Sequence, residues 1–128
     1  MTIFKDLNEK LQIFLEDKFA IQEMANFKGN ELNLPVNIWV DGPREMKHGK
    51  RIKLQNNYST NFMTGDLITL TISENPTLGK TFNKIKIKNK DIEKVRQWII
   101  QNKNILELYA DGKISTKELL EQIKPFEE

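Results

Sequence analysis

Four short segments of the chain alternate between aliphatic and polar residues. They span residues 36–40, 51–55, 67–72 and 84–88, and polar or glycine-containing stretches separate them. The third segment is rich in β-branched residues, which is typical of a strand. Because alternating strands bury one face and expose the other, the four segments predict a mainly antiparallel sheet with one buried face.

Both ends of the chain show the three- to four-residue spacing of amphipathic helices. Apolar residues recur in this way over residues 4–15 and again over residues 89–110, where Gly112 supplies a helix stop. Residues 115–123 form a third helical segment, which opens with a capping box. We therefore expect an α+β fold with an N-terminal helix, a four-stranded sheet, and a C-terminal helical hairpin packed on the apolar face of the sheet.

The length of 128 residues fits one domain, and we take residues 1–128 as a single domain because no repeat or low-complexity tract divides them. With 38% hydrophobic and 30% charged residues, the chain is too apolar to be disordered. The strand alternation and the helical stripes converge on one interior. Its predicted members are Ile38, Leu54, Ile68, Leu70, Ile85, Ile99 and Leu106.

The composition excludes several classes of site. The chain has no cysteine, which rules out disulfides, zinc–thiolate centres and thiol nucleophiles. No apolar run approaches the roughly 20 residues that span a bilayer. Asp6 and Glu9 interrupt the region that would be apolar in a signal peptide. We therefore expect a cytosolic protein without a membrane segment, and we predict no cofactor and no metal.

The net charge of +2 conceals an uneven distribution. Residues 1–35 hold four basic and six acidic residues, and residues 91–128 hold six and eight, so that each end carries a charge of −2. Residues 36–90 hold ten basic and four acidic residues, a charge of +6. Because clustered positive charge concentrates anions near a surface, the middle of the chain is the predicted binding region.

The basic residues of this middle region fall on the predicted outer face of the sheet. There Trp39 would be an exposed indole among lysines and arginines, with further basic residues at the rim. Neutralised phosphates release counterions, and an aromatic ring can stack on a base. The alternative is a solvated strand face, since lysines also protect sheet edges from aggregation. The candidate anion- or nucleic-acid-binding residues are Trp39, Arg44, Lys47, His48, Lys50, Arg51, Lys53, Lys84, Lys86 and Lys88.

His48 is the single histidine of the chain. A zinc site would need three carboxylate or water ligands beside it, which argues against a metal centre. As a general base it would require an orienting carboxylate, for which Asp41 and Glu45 are the neighbours in sequence. The simplest interpretation is an exposed loop histidine, and a ligand-contacting or catalytic histidine is the alternative. No nucleophile elbow and no phosphate-binding glycine loop occurs, so no catalytic residue is predicted.

The layout of residues 35–40, a basic element with His48, two further strands and then residues 92–114 resembles small uncharacterised bacterial and phage proteins of toxin–antitoxin gene pairs. The resemblance covers roughly residues 35–114. That family often carries alternating histidines on its first strand, where this chain has Asn37 and Trp39. The resemblance implies no established activity, so it leaves any shared chemistry open.

Together these features favour a non-enzymatic binding or regulatory protein. Its basic sheet face and the hairpin around residues 44–53 would engage a phosphate-bearing partner, either nucleic acid or a nucleotide. The alternative is a protein-interaction factor, such as an antitoxin or a phage-encoded inhibitor of a host defence protein. A small enzyme that modifies nucleotides or nucleic acid is a third hypothesis. The oligomeric state is left open.

Overall fold

The computed structural model of the chain describes residues 24–43 and 49–128. The sheet has four antiparallel strands in the order of the chain: β1 (Ala25–Phe27), β2 (Ile38–Val40), β3 (Arg51–Gln55) and β4 (Leu67–Thr71). In this part of the chain three helices follow: α1 (Asn89–Gln101), α2 (Lys103–Ala110) and α3 (Thr116–Gln122). The α+β architecture and the antiparallel four-stranded sheet are as predicted. The predicted N-terminal helix lies outside the described residues.

One of the four strands differs from the prediction. Residues 84–88 alternate like a strand, but they belong to none of the four strands of the sheet, and β1 takes the missing place at its edge. β1 pairs with β2 so that Ala25 lies opposite Val40 and Phe27 lies opposite Ile38. β1 contains no Val, Ile or Leu, and the alternation of such residues marks the predicted strands, which is why the sequence pattern missed it.

The apolar face of the sheet forms the core, as the alternation predicts. Leu54 of β3 lies opposite Ile38 of β2 on one side and opposite Ile68 of β4 on the other, so these side chains share one face. Val95 and Ile99 of α1 are buried in the same hydrophobic cluster. Six of the seven predicted core residues are buried, and the seventh is partly buried. The six are Ile38, Leu54, Ile68, Leu70, Ile99 and Leu106, and the partly buried one is Ile85.

The first helix of the predicted hairpin is divided at Asn102, which lies between α1 and α2. The buried Asn102 side chain accepts a hydrogen bond from the Lys124 N–H (2.9 Å) and donates one to the Lys124 carbonyl (3.1 Å). Trp98 Nε1 donates to the same carbonyl at 2.8 Å. These bonds fasten the chain after α3 to the end of α1. α3 itself begins with the predicted capping box of Ser115 and Glu118.

Candidate nucleic-acid interface

The two basic residues of β3 lie on the face opposite the core, where the alternation places them. Arg51 Nε lies 3.5 Å from Asp41 Oδ2, and Lys53 Nζ lies 3.4 Å from Asp41 Oδ1. The Asp41 side chain is only 2% exposed, and a buried carboxylate requires such partners because its desolvation is costly. Arg51 and Lys53 therefore stabilise a buried negative charge, which offsets part of the positive charge of this face.

Trp39 is buried, so the prediction of an exposed indole is wrong. It is 7% exposed because the ring of Phe62 lies against it, with the two ring centroids 5.5 Å apart and the planes inclined at 58°. Lys28 Nζ lies 4.3 Å from the centroid of the Phe62 ring, within the range of a cation–π contact. Lys28 also donates a hydrogen bond to the carbonyl of Thr60. In this arrangement Trp39 is unable to stack on a base.

Residues 57–64, which we call the cover loop, belong to the connection between β3 and β4 and lie over the outer face of β2. Two buried amide side chains, Asn37 and Gln55, hold the cover loop in place. Asn37 Nδ2 donates to the Thr60 carbonyl at 3.2 Å, and Gln55 Oε1 accepts from the Met63 N–H at 2.8 Å. Asn37 and Gln55 stand on the polar side of the alternating segments 36–40 and 51–55, which alone would predict a solvated face, but both serve the internal hydrogen bonds of a covered one.

Residues 84–88, which we call the lysine ribbon, are held by side chains rather than by a neighbouring strand. Asn56 is buried directly after β3, and its Nδ2 donates to the Lys84 carbonyl at 2.8 Å. The Oδ1 of Asn56 accepts from the Lys86 N–H, also at 2.8 Å. The hydroxyl of Tyr58 accepts from the Lys88 N–H at 2.9 Å. The lysine ribbon therefore lies at the end of the sheet where β3 ends and the cover loop begins.

Burial alternates along the lysine ribbon as it does in an extended chain. Ile87 is buried and Ile85 is partly buried, whereas Lys84, Lys86 and Lys88 are exposed. The segment is not a regular strand, because the chain bends at Ile87. The three exposed lysines nevertheless follow one another along one short segment, and we call them a row of positive charge on the protein surface.

One lysine of this row is paired with a carboxylate. Lys86 Nζ lies 3.0 Å from Asp66 Oδ2. The hydrogen bond from Lys86 holds the pKa of Asp66 below its usual value, and a further bond from Asn56 acts in the same direction. Among the described residues, no carboxylate lies within 4.0 Å of the ammonium groups of Lys84 and Lys88. These two lysines are therefore available to an anionic ligand.

Tyr58 joins the cover loop to the lysine ribbon and to α1. Its hydroxyl donates to Asp91 Oδ2 at 2.6 Å, and Asp91 belongs to the first turn of α1. Partial burial of the hydroxyl raises the pKa of Tyr58, and the hydrogen bond to Asp91 raises it further. The phenol therefore remains protonated at neutral pH and keeps donating to Asp91. This bond fixes the position of the lysine ribbon relative to the helix.

Aromatic and apolar side chains of the cover loop and of the segment just before the lysine ribbon are exposed, and the sequence prediction missed them. Phe82, two residues before the ribbon, is fully exposed. Tyr58, Phe62 and Met63 of the cover loop are between 38% and 49% exposed. One signal for Phe82 was present in the sequence, because it stands two residues before Lys84 and so continues the every-second-residue pattern of the three exposed lysines. For the cover loop no such signal existed, since no periodic pattern runs through it.

The remaining predicted basic residues do not join this row. Lys50 Nζ lies 2.8 Å from Asp111 Oδ1, which follows α2. Arg44, Lys47 and His48 lie outside the described residues, so their role at the rim stays a prediction. The structure thus brings together only part of the predicted set on one exposed segment. That part is Lys84, Lys86 and Lys88.

Two general features of the described residues bear on the kind of site. Within residues 24–43 and 49–128, no group of three or more His, Asp or Glu side chains is arranged to hold a metal ion. No helix in that part of the chain is long and apolar enough to cross a membrane. The cytosolic location stays a prediction.

The comparisons with known proteins do not assign the chain to a family. No protein-family model matches it, and searches of curated proteins and of solved structures find no significant match. The resemblance to proteins of toxin–antitoxin gene pairs therefore stays a prediction.

Proposed function

We propose that the protein is a non-enzymatic binding protein that engages a phosphate-bearing polymer, nucleic acid, through the lysine ribbon. The observation that carries this proposal is the row of three exposed lysines, two of them without a carboxylate neighbour among the described residues. Each phosphate that a lysine neutralises releases condensed counterions, which is the main source of affinity for nucleic acid. Three exposed lysines in succession suit a polymer of phosphates better than a single nucleotide.

The lysine ribbon is a better candidate than the basic residues of β3. Arg51 and Lys53 are both within 3.5 Å of the buried Asp41 carboxylate, and their side chains are 25% and 18% exposed. A ligand phosphate would have to compete with Asp41 for them. Lys84 and Lys88 face no such competition from a described residue. The proposed interface therefore lies at the end of the sheet, and not on the face of the sheet as the sequence predicted.

Salt dependence of binding tests the proposal. We expect a fluorescein-labelled single strand to bind the protein at low salt, with a log–log slope of affinity against salt of about −2 for three phosphates at roughly −0.7 each. The double variant Lys84→Gln/Lys88→Gln should reduce the magnitude of the slope by about 1.4 and weaken binding for every sequence. The matched control is Lys113→Gln/Lys117→Gln, which removes two exposed lysines from the helical side of the protein. An equal loss of affinity in both double variants would contradict the proposal.

The alternative proposal is a protein-interaction factor, such as an antitoxin or a phage-encoded inhibitor of a host defence protein. One observation favours it: Ile100, Leu108 and Leu120, one on each of the three helices, are substantially exposed. Exposed apolar residues on helices are suited to docking on another protein when they form a contiguous patch. This model expects no affinity for oligonucleotides even at low salt, and the titration above therefore separates the two proposals.

A further inference from the structure

Phe82 is presented to solvent by a fixed turn. Its ring is fully exposed. The residue that follows it is anchored twice, because Asn83 Nδ2 donates to Asp66 Oδ1 at 3.1 Å and the Asn83 N–H donates to Thr81 Oγ1 at 3.1 Å. Burial of an aromatic side chain normally stabilises the folded protein, and the fully exposed ring of Phe82 makes no such contribution. An exposed aromatic ring on an anchored turn, next to a row of lysines, is a platform on which a flat ligand group can stack.

Tyr58 of the cover loop places a further aromatic ring at the same end of the sheet, because its hydroxyl accepts from the Lys88 N–H. The lysine ribbon is attached to Asn56 at the start of the β3–β4 connection and to Asp66 at its end. The partly exposed Tyr58, Phe62 and Met63 lie in this connection. The end of the sheet therefore combines three features: a row of positive charge, one fully exposed ring, and the partly exposed ring of Tyr58.

We infer that the ligand of this surface is single-stranded nucleic acid, with an unpaired base stacked on Phe82 and the following phosphates lying along Lys84, Lys86 and Lys88. This inference rests on the proposed function and specifies its ligand. In a duplex the faces of the bases are covered by their neighbours, so a protruding ring gains nothing from them. In a single strand each base has a free face, and stacking on an aromatic side chain accepts any base. The row of lysines offers positive charge to several phosphates of the same strand.

The experiment compares three fluorescein-labelled ligands of one sequence by anisotropy: a DNA strand, the corresponding RNA strand and the DNA duplex. We expect both single strands to bind more tightly than the duplex. Phe82→Ala should weaken the binding of single strands by about 5- to 150-fold, the range for loss of one stacked base. It should leave the salt slope and the duplex affinity unchanged, because the ring carries no charge. Phe82→Trp should retain or increase the affinity for single strands.

Leu120→Ala is the matched control, because Leu120 is another exposed apolar side chain, on α3. Circular dichroism should show all variants folded, since neither Phe82 nor Leu120 is in the buried core. If lysine substitution weakens binding but Phe82→Ala does not, or if duplex binds as tightly as single strands, the inference is overturned and the proposed function stands. Absence of any binding at low salt would overturn both.

Discussion

Residues 51–55 and residues 84–88 have the same sequence pattern, two aliphatic residues between basic or polar ones, and the structure uses them differently. The first segment is β3, with β2 paired on one side and β4 on the other. The second is the lysine ribbon, held by the side chains of Asn56 and Tyr58. In both, the aliphatic residues point toward the core and the basic ones away from it. Alternation thus predicts which side of a segment is buried, but not what the backbone pairs with.

The difference arises at β4, the strand that precedes the ribbon in the chain. The outer edge of β4 is already occupied by residues 77–79, where the Gly79 N–H donates to the Thr69 carbonyl at 3.0 Å and the Thr71 N–H donates to the Thr77 carbonyl at 3.1 Å. β3 is central and has no free edge. The ribbon therefore passes the end of the sheet before α1 begins, and its lysines remain at the surface. By contrast, Arg51 and Lys53 of β3 lie beside the Asp41 carboxylate.

The largest expected effect is a difference in stability between variants of the aliphatic residues in the two segments. Leu54→Ala in β3 should cost about 2–5 kcal/mol in the free energy of unfolding, because the side chain is fully buried and leaves a cavity. Ile85→Ala in the ribbon should cost only about 1–1.5 kcal/mol, since Ile85 is partly buried at the margin of the core. Urea denaturation of both variants measures the difference. Equal costs would mean that the ribbon is as much a part of the core as β3.

The next effect concerns the anchor of the ribbon. Asn56→Ala removes the partner of the Lys84 carbonyl and of the Lys86 N–H, and should cost about 1–3 kcal/mol. Because the row of lysines depends on this anchor, affinity for a single strand should fall as well, although no charge is removed. Asn104→Ala, an exposed residue on α2, is the control and should change neither quantity. Unchanged oligonucleotide binding by a folded Asn56→Ala protein would show that the ribbon keeps its shape without the anchor.

Much of the sheet could be predicted from the sequence, because burial of one face imposes alternation on β2, β3 and β4. Leu70 is fully buried, which confirms the predicted register of β4. What failed were the features that depend on contacts between distant residues. Trp39 was expected outside because it alternates with aliphatic neighbours, and no local pattern shows that Phe62 covers it. Asn37 likewise looked solvated, although its buried amide holds a loop some twenty residues away.

The same limit applies to the candidate site. Its lysines were predicted, since alternation alone places Lys84, Lys86 and Lys88 on the outer side of the segment. The sequence did not predict that these lysines lie apart from Arg51 and Lys53, because their position depends on which strand edges are already occupied. The sequence pattern assigned all five to one surface, and the tertiary pairing places them on two.

A smaller effect compares the basic residues of the two segments. Lys53→Gln should cost about 1 kcal/mol in stability, because it removes one of the charges beside the buried Asp41 carboxylate while Arg51 remains. Lys84→Gln should change stability by less than about 0.5 kcal/mol, as is usual for an exposed surface residue. Thermal denaturation of the two single variants measures both. A larger loss in Lys84→Gln would reveal a structural role for that lysine.

The smallest expected effect is the pH dependence of the Asp66–Lys86 pair. Because the pKa of Asp66 is lowered in the folded protein, its contribution to stability is present above the ordinary carboxyl pKa of about 3.9 and is lost as the pH falls through the lower folded-state value. Asp66→Asn should abolish this part of the acid dependence. Nuclear magnetic resonance titration of the Asp66 carboxyl carbon measures the folded-state pKa, and a value at or above the ordinary one would contradict the assignment.

The most direct test of the central claim is to map where an oligonucleotide touches the protein. Backbone amide resonances of the ¹⁵N-labelled protein are followed during titration with a short single DNA strand at low salt. We predict that the largest shifts occur at residues 80–88 and in the cover loop, and that the amides of β3 move little. Shifts centred on residues 51–55, or on the exposed apolar residues of the three helices, would contradict the account.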